Sequence, residues 1–317
     1  MRSKWKFAFV AAVVAASVCG YLYGSRGIPF VAKYTDWSIR IYFGASPFDI
    51  GPSDLSPAIT AADVSDIAAD FVADPFLFKE GDTWHLFFEV LNSSTMQGDI
   101  AVATSKDLLR WDYKQVVLDE QFHLSFPLVF RSDGEIFMIP ETTEANGVRL
   151  YRATKFPSQW EFVSTLMSGY HADPVVFEHE DSWWLFTSAS PTNNVLRLYR
   201  ADSLRGTWSE HPKSPIIYKD AARARPAGRV LKSGERLFRF AQDDLAHYGT
   251  RVRAFEILRL SKTDYAETEL DWSTLRGSGA GWNAGGMHHV DLHPLKDGSW
   301  AASVDGWRIS RKFDVRQ

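Results

Sequence analysis

The stretch Phe71–Val90, FVADPFLFKEGDTWHLFFEV, reads as an apolar strand opened by Asp-Pro, a polar turn, and a second aromatic strand that carries a carboxylate near its end. The pattern returns as Ser125–Thr142, SFPLVFRSDGEIFMIPET, and as Ala172–Ala189, ADPVVFEHEDSWWLFTSA. Two weaker copies follow, Ala224–Asp243, ARPAGRVLKSGERLFRFAQD, and His289–Gly306, HVDLHPLKDGSWAASVDG. Pro75, Pro127, Pro174 and Pro226 are spaced by 52, 47 and 52 positions. A period near fifty with strand patterning inside each unit is the signature of a β-propeller. Five copies predict an all-β, five-bladed propeller.

The outer half of each unit repeats as well. Asp99–Trp111, Val148–Trp160 and Val195–Trp208 each give a third strand and a turn, and their tryptophans are 49 and 48 residues apart. In the fourth unit Tyr265 stands in the tryptophan position. Packing between blades is the reading for these aromatics. Trp37–Phe43, WSIRIYF, alternates as a strand but precedes the first unit, so it is expected to complete the last blade and close the ring.

The chain has 317 residues, and aromatic residues make up 14% of it, which suits one large domain whose blades bury their faces against each other. Its net charge is −4 and no cluster of Lys or Arg stands out, which excludes nucleic acid as the main partner. The single cysteine, Cys19, lies in the N-terminal apolar run, so the folded domain uses neither disulfide nor thiol chemistry. Arg2, Lys4 and Lys6 precede the apolar segment Phe7–Tyr23. That arrangement predicts a signal anchor or signal peptide over 1–24, a helix at the membrane that places the rest outside the cytoplasm. Residues 25–36 then read as a linker and 37–317 as the propeller. Gly277–Gly286, GSGAGWNAGG, matches no phosphate loop, because no Lys-Ser/Thr follows its glycines.

Blade geometry selects the candidate site. The first two strands of a blade are antiparallel, so the start of one and the end of the next share a rim, and the first strand lines the channel. Residues at those positions converge on a funnel mouth, the concave place that ligands favour. Blade one offers Asp74 and Glu89, and blade two His123 and Glu141. Blade three offers His171 and Asp173; blade four Arg223, Arg225, Gln242 and Asp243; blade five His288, His289 and Asp305. Charges crowded in this way are costly unless paired or functional. His288 and His289, close to Asp291 and His293, have the composition of a metal cluster. Adjacent strand residues point to opposite faces, however, so neither metal nor other cofactor is expected. Paired carboxylates across a funnel suit glycosidic-bond chemistry, with one protonated as acid and the other as base or nucleophile.

The stretches FVADPFLF, TMQGDIAVA, LDEQFHLSFPLVF, IPET, VRLYRATKFPSQW and RLFRFAQDDLAHYGTRVR, with the opening WSIRIYFGASPFDI, closely resemble one family. It comprises the N-terminal domain of plant glucosamine inositolphosphorylceramide transferases and its bacterial stand-alone relatives. More distantly, the blade pattern is similar to five-bladed glycosidases of the arabinanase/xylosidase and invertase/levansucrase groups. That second resemblance implies a first-blade Asp as base or nucleophile and a third-blade Asp-Pro aspartate that tunes it; Asp74 and Asp173 match these positions. The general-acid Glu of those enzymes opens the fourth blade, where this chain has Arg225. In the plant proteins transferase activity belongs to a separate C-terminal domain, so the resemblance implies a carbohydrate-related propeller and not the transferase itself.

Two readings follow. In the first, an extracytoplasmic glycosidase or transglycosidase acts on a glycan or glycolipid. Asp74 is its base or nucleophile, Asp173 its modulator and Glu141 its acid, and Glu89, His123, His171, Arg223, Arg225, Gln242, Asp243, His289 and Asp305 bind substrate. In the second, a non-catalytic module presents a glycan to a partner glycosyltransferase.

Overall fold

The computed structural model describes residues 31–52, 57–272 and 275–313. Its first strands are β1 (Val31–Ser46) and β2 (Asp49–Pro52). Blade one is β3 (Ala69–Glu80), β4 (Thr83–Asn92), β5 (Gln97–Ser105) and β6 (Asp112–Leu118). Blade two is β7 (Ser125–Ser132), β8 (Glu135–Glu141), β9 (Gly147–Lys155) and β10 (Gln159–Ser168). Blade three is β11 (Ala172–His179), β12 (Ser182–Ser188) and β13 (Val195–Ala201), with two short outer strands, β14 (Ser209–Glu210) and β15 (Ile217–Tyr218), both paired to β13. In blade four the inner strand is broken into β16 (Arg225–Pro226) and β17 (Leu231–Ser233), followed by β18 (Arg236–Asp243), β19 (Arg251–Leu260) and β20 (Tyr265–Glu269). Blade five takes β21 (Val290–Pro294) and β22 (Trp300–Phe313) from the C-terminal side and β1 and β2 from the N-terminal side, in the order β21-β22-β1-β2.

These five sheets are the five-bladed propeller, and the strand around Trp37–Phe43 completes the last blade. Two compact units are present. Trp37–Arg308 carries the blades, and the other unit, Met1–Asp36 with Ile309–Gln317, is described only at the strand ends 31–36 and 309–313. β1 starts at Val31, so the last six residues of the expected linker 25–36 are strand. The anchor expected over 1–24 lies outside the described residues. Among the described residues no helix is long and apolar enough to cross a membrane.

The core lies between blades. A middle strand such as β4 is buried on both faces, from Trp84 to Val90, whereas the outer strand β10 is mostly exposed or half-buried. Continuous apolar runs are what a strand covered on two sides requires. Phe76, Phe87, Phe88, Phe126 and Phe186 are fully buried, each contributing roughly 1.5–3 kcal/mol relative to exposure. The periodic tryptophans also hold the outer turns. The indole N–H groups of Trp111, Trp160 and Trp208 donate to the carbonyls of Leu108, Pro157 and Leu204 at 3.2, 2.9 and 3.2 Å.

The break in blade four fills the channel. Gly228 has φ 143°, and a Cβ there would meet the Val290 carbonyl oxygen at 1.8 Å, so the chain can pass β21 only as glycine. The next residue, Arg229, joins four blades. Its Nε donates to Asp291 Oδ1 at 2.8 Å, its Nη1 to the Val129 carbonyl at 3.1 Å, and its Nη2 to the Leu77 carbonyl at 3.3 Å. Asp291 Oδ2 in turn accepts the Leu77 N–H at 2.8 Å and faces His293 Nε2 at 3.0 Å. Burial alone would raise Asp291, but Arg229 and His293 hold it well below the usual carboxylate range. Removing one partner of a buried pair leaves the other charge uncompensated, at a cost of about 3 kcal/mol or more. Arg229→Met is therefore expected to lower urea-unfolding stability by about that amount. Arg236→Met, at a surface pair with Glu256, should change it by less than about 1 kcal/mol. Equal losses in the two variants would remove Arg229 from its place as the central tie.

Candidate functional site

Three inner strands begin with the same kink. Asp74, Phe126 and Asp173 have φ of 53°, 48° and 49°, each sits directly before a proline, and in each blade the register slips there. A left-handed non-glycine residue costs about 1–3 kcal/mol, so its surroundings must hold it. Carboxylates from the neighbouring blade do so. Asp305 Oδ2 accepts the Asp74 N–H at 3.0 Å, Asp74 Oδ2 the Phe126 N–H at 3.2 Å, and Glu141 Oε2 the Asp173 N–H at 3.1 Å. The kinks turn the side chains of Asp74 and Asp173 into one cluster below the mouth, where they are 5% and 1% exposed.

Around Asp173 the cluster is well paired. Arg225 donates from Nε to Asp173 Oδ2 at 2.6 Å and from Nη2 to Oδ1 at 3.2 Å. Gln242 Nε2 reaches Oδ2 at 2.6 Å, and Arg225 Nη2 lies 3.5 Å from Glu141 Oε2. Thr143 donates its hydroxyl to Glu141 Oε1 at 2.8 Å. Burial would raise Glu141, but Arg225 and these hydrogen bonds outweigh it and hold the carboxyl below its ordinary value. Burial, with the charge of Glu141, pushes Asp173 up to about 7 against the pull of Arg225.

Around Asp74 pairing is poor. Its Oδ1 is buried with no hydrogen-bond partner, 3.7 Å from both His288 Nε2 and His289 Nδ1. Burial raises Asp74 well above the carboxylate range, helped by Glu89, Asp173 and Asp305, with His288 alone opposing. Burial would lower His288, but Asp305 and Asp74 raise it to about 9; its Nδ1 lies 2.8 Å from Asp305. Burial lowers His289 to about 4, and its ring packs against Phe76 and Phe126 at centroid distances of 4.5 and 5.2 Å. The two environments thus push in opposite directions, Asp74 towards its protonated form and Glu141 towards its ionised form. The assignment expected from sequence has Glu141 as the acid and Asp74 as base or nucleophile.

The remaining expected residues divide. Glu89 is at the mouth and faces His123 Nε2 at 3.3 Å; His123 Nδ1 accepts the Gly98 N–H, so its proton lies on the Glu89 side. Three others point elsewhere. His171 packs on Tyr199 and faces the Ser168 carbonyl. Arg223 pairs with Asp220. Asp243, next to Gln242 on β18, projects from the opposite face and pairs with Arg251 and Arg253. The alternation argument fails at His288 and His289, because β21 begins only at Val290 and the irregular backbone before it brings both rings to Asp74.

Sequence reasoning also missed Tyr248, Asp244 and Asn193. The Tyr248 ring lies 5.3 Å from the Arg225 guanidinium carbon and 5.2 Å from the His288 ring, and Trp37 stacks on His288 at 4.1 Å. Asn193 accepts from Arg225 Nη1 at 3.3 Å and donates to Asp244 Oδ2 at 2.8 Å. These residues sit in loops, where no periodicity marks them. Donor atoms of Asp74, His288 and Asp305 lie within 4.8 Å of one another, the spacing of a cation site. Asp305, however, already accepts the N–H groups of Asp74, His288 and His289 as well as the His288 ring. Asp305 is thus taken up as the acceptor that ties Asp74 and His288 together.

Fold and site define a five-bladed propeller with its carboxylates gathered under one mouth. The chain belongs to the family described as glucosamine inositolphosphorylceramide transferase 1, N-terminal, which matches residues 32–307. It is 36% identical over 307 residues to glucosamine inositolphosphorylceramide transferase 1 of Oryza sativa subsp. japonica and 37% over 300 residues to that of Arabidopsis thaliana. Those matches cover 89% and 86% of this chain but 41% and 39% of the plant proteins, so the chain spans about two-fifths of their length. A 1,2-beta-oligomannan phosphorylase of Thermoanaerobacter sp. is 24% identical over 221 residues, 62% of this chain and 70% of that protein. Among solved structures, the catalytic domain of Coprinopsis cinerea GH62 alpha-L-arabinofuranosidase superposes with a TM-score of 0.57 at 13% identity, covering 88% of this chain and 98% of that one. Cellvibrio cellulosa alpha-L-arabinanase, solved with arabinohexaose, gives 0.55 at 15% identity, covering 75% and 92%. These structures share the fold.

Because Asp74 is raised in the fold relative to an unfolded value near 3.9, ionising it opposes folding, and that penalty grows as pH rises from about 4 towards the folded value. Asn mimics the protonated acid and escapes the penalty. Asp74→Asn should therefore gain in melting temperature relative to wild type from pH 5 to pH 8. A gap that stays flat or shrinks would show that Asp74 is ionised throughout.

Proposed function

We propose that the domain binds a glycan at the funnel mouth and acts on it as a glycoside-cleaving or glycoside-transferring enzyme, with Asp74 as proton donor. The observation that carries this reading is one buried cluster in which Asp74 and Glu141 are driven to opposite protonation states. Two carboxyl groups pushed apart by their environments are how a site runs acid and base chemistry at one pH. Asp74 gives its proton to the leaving glycosidic oxygen as the bond to the anomeric carbon breaks. Glu141, ionised beside Arg225, accepts the proton of an incoming hydroxyl as its oxygen bonds that carbon. Asp173 sets the charge between them, and Gln242 positions it.

The likeness to an oligomannan phosphorylase and to the fold of arabinan-degrading enzymes supports a glycan as the ligand. In the same reading the segment Phe7–Tyr23 holds the propeller at a membrane outside the cytoplasm. A second reading, a non-catalytic module that presents its glycan to a glycosyltransferase, is favoured by Arg225, which neutralises Asp173 where related glycosidases place an acid.

The test uses the full chain and Asp74→Asn with a panel of aryl glycosides, 1,2-β-mannobiose with and without inorganic phosphate, and arabino-oligosaccharides. Binding is followed by calorimetry and product by chromatography. Wild-type turnover that falls about 10²-fold or more in the variant, with binding retained, is expected of a general acid. Equal binding by both proteins without product selects the presenting module.

A further inference from the structure

The poorly paired half of the site is roofed. Tyr248 lies between Arg225 and His288, with Trp37 beside it at 6.2 Å, and 44% of its surface faces solvent. Four buried polar atoms of the cluster lack hydrogen-bond partners: Asp74 Oδ1, Gln242 Oε1 and both ring nitrogens of His289. The Gln242 amide is oriented without ambiguity, since its nitrogen donates to Asp173 and to the Pro226 carbonyl. Each buried polar group left unpaired destabilises the fold, because it has lost its water without gaining a partner. Such a set is stable only as part of an arrangement that at times supplies partners to it.

The segment that carries Tyr248, residues 244–250, is fastened at its ends, and its exposed apex is held through His247, which faces the Gly285 carbonyl at 3.4 Å and the Trp307 ring at a centroid distance of 5.6 Å. Asp244 Oδ1 accepts the Gly249 N–H at 2.9 Å, and Asp244 Oδ2 accepts from Asn193. Leu245 at the apex is 73% exposed, and Ala246 and His247 are exposed too. Gly249 has φ 67°, and a Cβ there would meet the Trp37 ring at 2.8 Å, so the turn bearing Tyr248 depends on glycine. A hydrogen-bonded line runs from Asp173 through Arg225, Asn193 and Asp244 to this turn.

We propose that Tyr248 gates the site: its ring roofs the buried unpaired polar atoms, and the 244–250 turn lifts it so that a sugar ring enters beneath and is stacked by it. Asp74 Oδ1 then donates to a sugar oxygen, a ring hydroxyl donates to Gln242 Oε1, and the tyrosine face covers the apolar face of the sugar. The ligand class this fits is a neutral polyhydroxylated ring. Leaving out Asp74, whose burial favours the neutral acid, Glu89, Glu141, Asp173, Asp244 and Asp305 still outnumber Arg225, His123 and His288, and the excess repels phosphate or uronate. The identity of the ligand rests on the glycan reading above, whereas the gate itself does not.

The experiment separates the two. The full chain is treated with a water-soluble carbodiimide and glycine ethyl ester near pH 6.5, and labelling of individual carboxyls is followed by peptide mass spectrometry. In wild type Asp74 should label slowly; in Tyr248→Ala it should label at least tenfold faster, and in Tyr248→Phe as in wild type. Asp291, buried away from the roof, serves as the control and should stay unlabelled. Asn193→Ala, which frees Asp244 without touching Tyr248, should also speed Asp74 labelling. Equal Asp74 rates in wild type and both loop variants would overturn the gate. Protection of Asp74 in Asn193→Ala, which keeps Tyr248, by 1,2-β-mannobiose or arabinohexaose, but not by inorganic phosphate, supports the neutral ring. Gated labelling that none of these sugars slows leaves the gate standing and counts against the glycan.

Discussion

The structure depends on a carboxylate from one blade grasping the first kinked N–H of the next. Asp305 holds Asp74, Asp74 holds Phe126, and Glu141 holds Asp173. Each bond stabilises a left-handed residue that would otherwise be strained, and each crosses a blade boundary. The groups available for chemistry are therefore also the groups that set blade against blade. A charged hydrogen bond of this kind contributes roughly 1.5–3 kcal/mol, comparable to the strain it offsets. The site cannot be altered without touching the frame, and this explains why its members are so deeply buried.

The fold was largely legible because the kink has a sequence form. Asp-Pro and Phe-Pro at the head of an apolar run mark the inner strands of blades one to three, and the tryptophans recur because each ties the same outer turn. Legibility fell in blade four for a physical reason. There the inner strand breaks at Gly228 so that Arg229 can enter the channel, and a run of two apolar residues does not read as a strand. The site was legible at Asp74, Glu141, Asp173, Arg225 and Gln242, whose positions follow from the meander. It was not legible where backbone leaves the strand. Tyr248, and the turning of both His288 and His289 towards Asp74, owe their places to irregular segments, and Asp243 lost its place to the two-residue alternation that put Gln242 inward.

Arg225 shapes the character of the cluster. Its guanidinium satisfies Asp173 with two hydrogen bonds and lowers Glu141, which leaves Asp74 as the carboxyl without a cation of its own apart from His288. One half of the site is thus rigid and saturated, and the other retains unmet hydrogen-bonding capacity. Beneath both, the rings of Phe76, Phe126 and His289 and then the Arg229 tie fill the axis. The funnel has a floor, and traffic to the cluster uses the mouth alone.

Blade five joins the first and last strands of the propeller: β1 and β2 emerge first and wait for β21 and β22, which are synthesised after the other four blades. His288 and Asp305 lie within this closing blade, and Asp305 is the carboxylate that fixes Asp74 in blade one. On a ribosome, four blades can be present while Asp74 still lacks both its restraint and its imidazole neighbour. Completion of the ring and assembly of the Asp74 cluster are one event in time, so an unfinished ring carries blades without the gathered cluster.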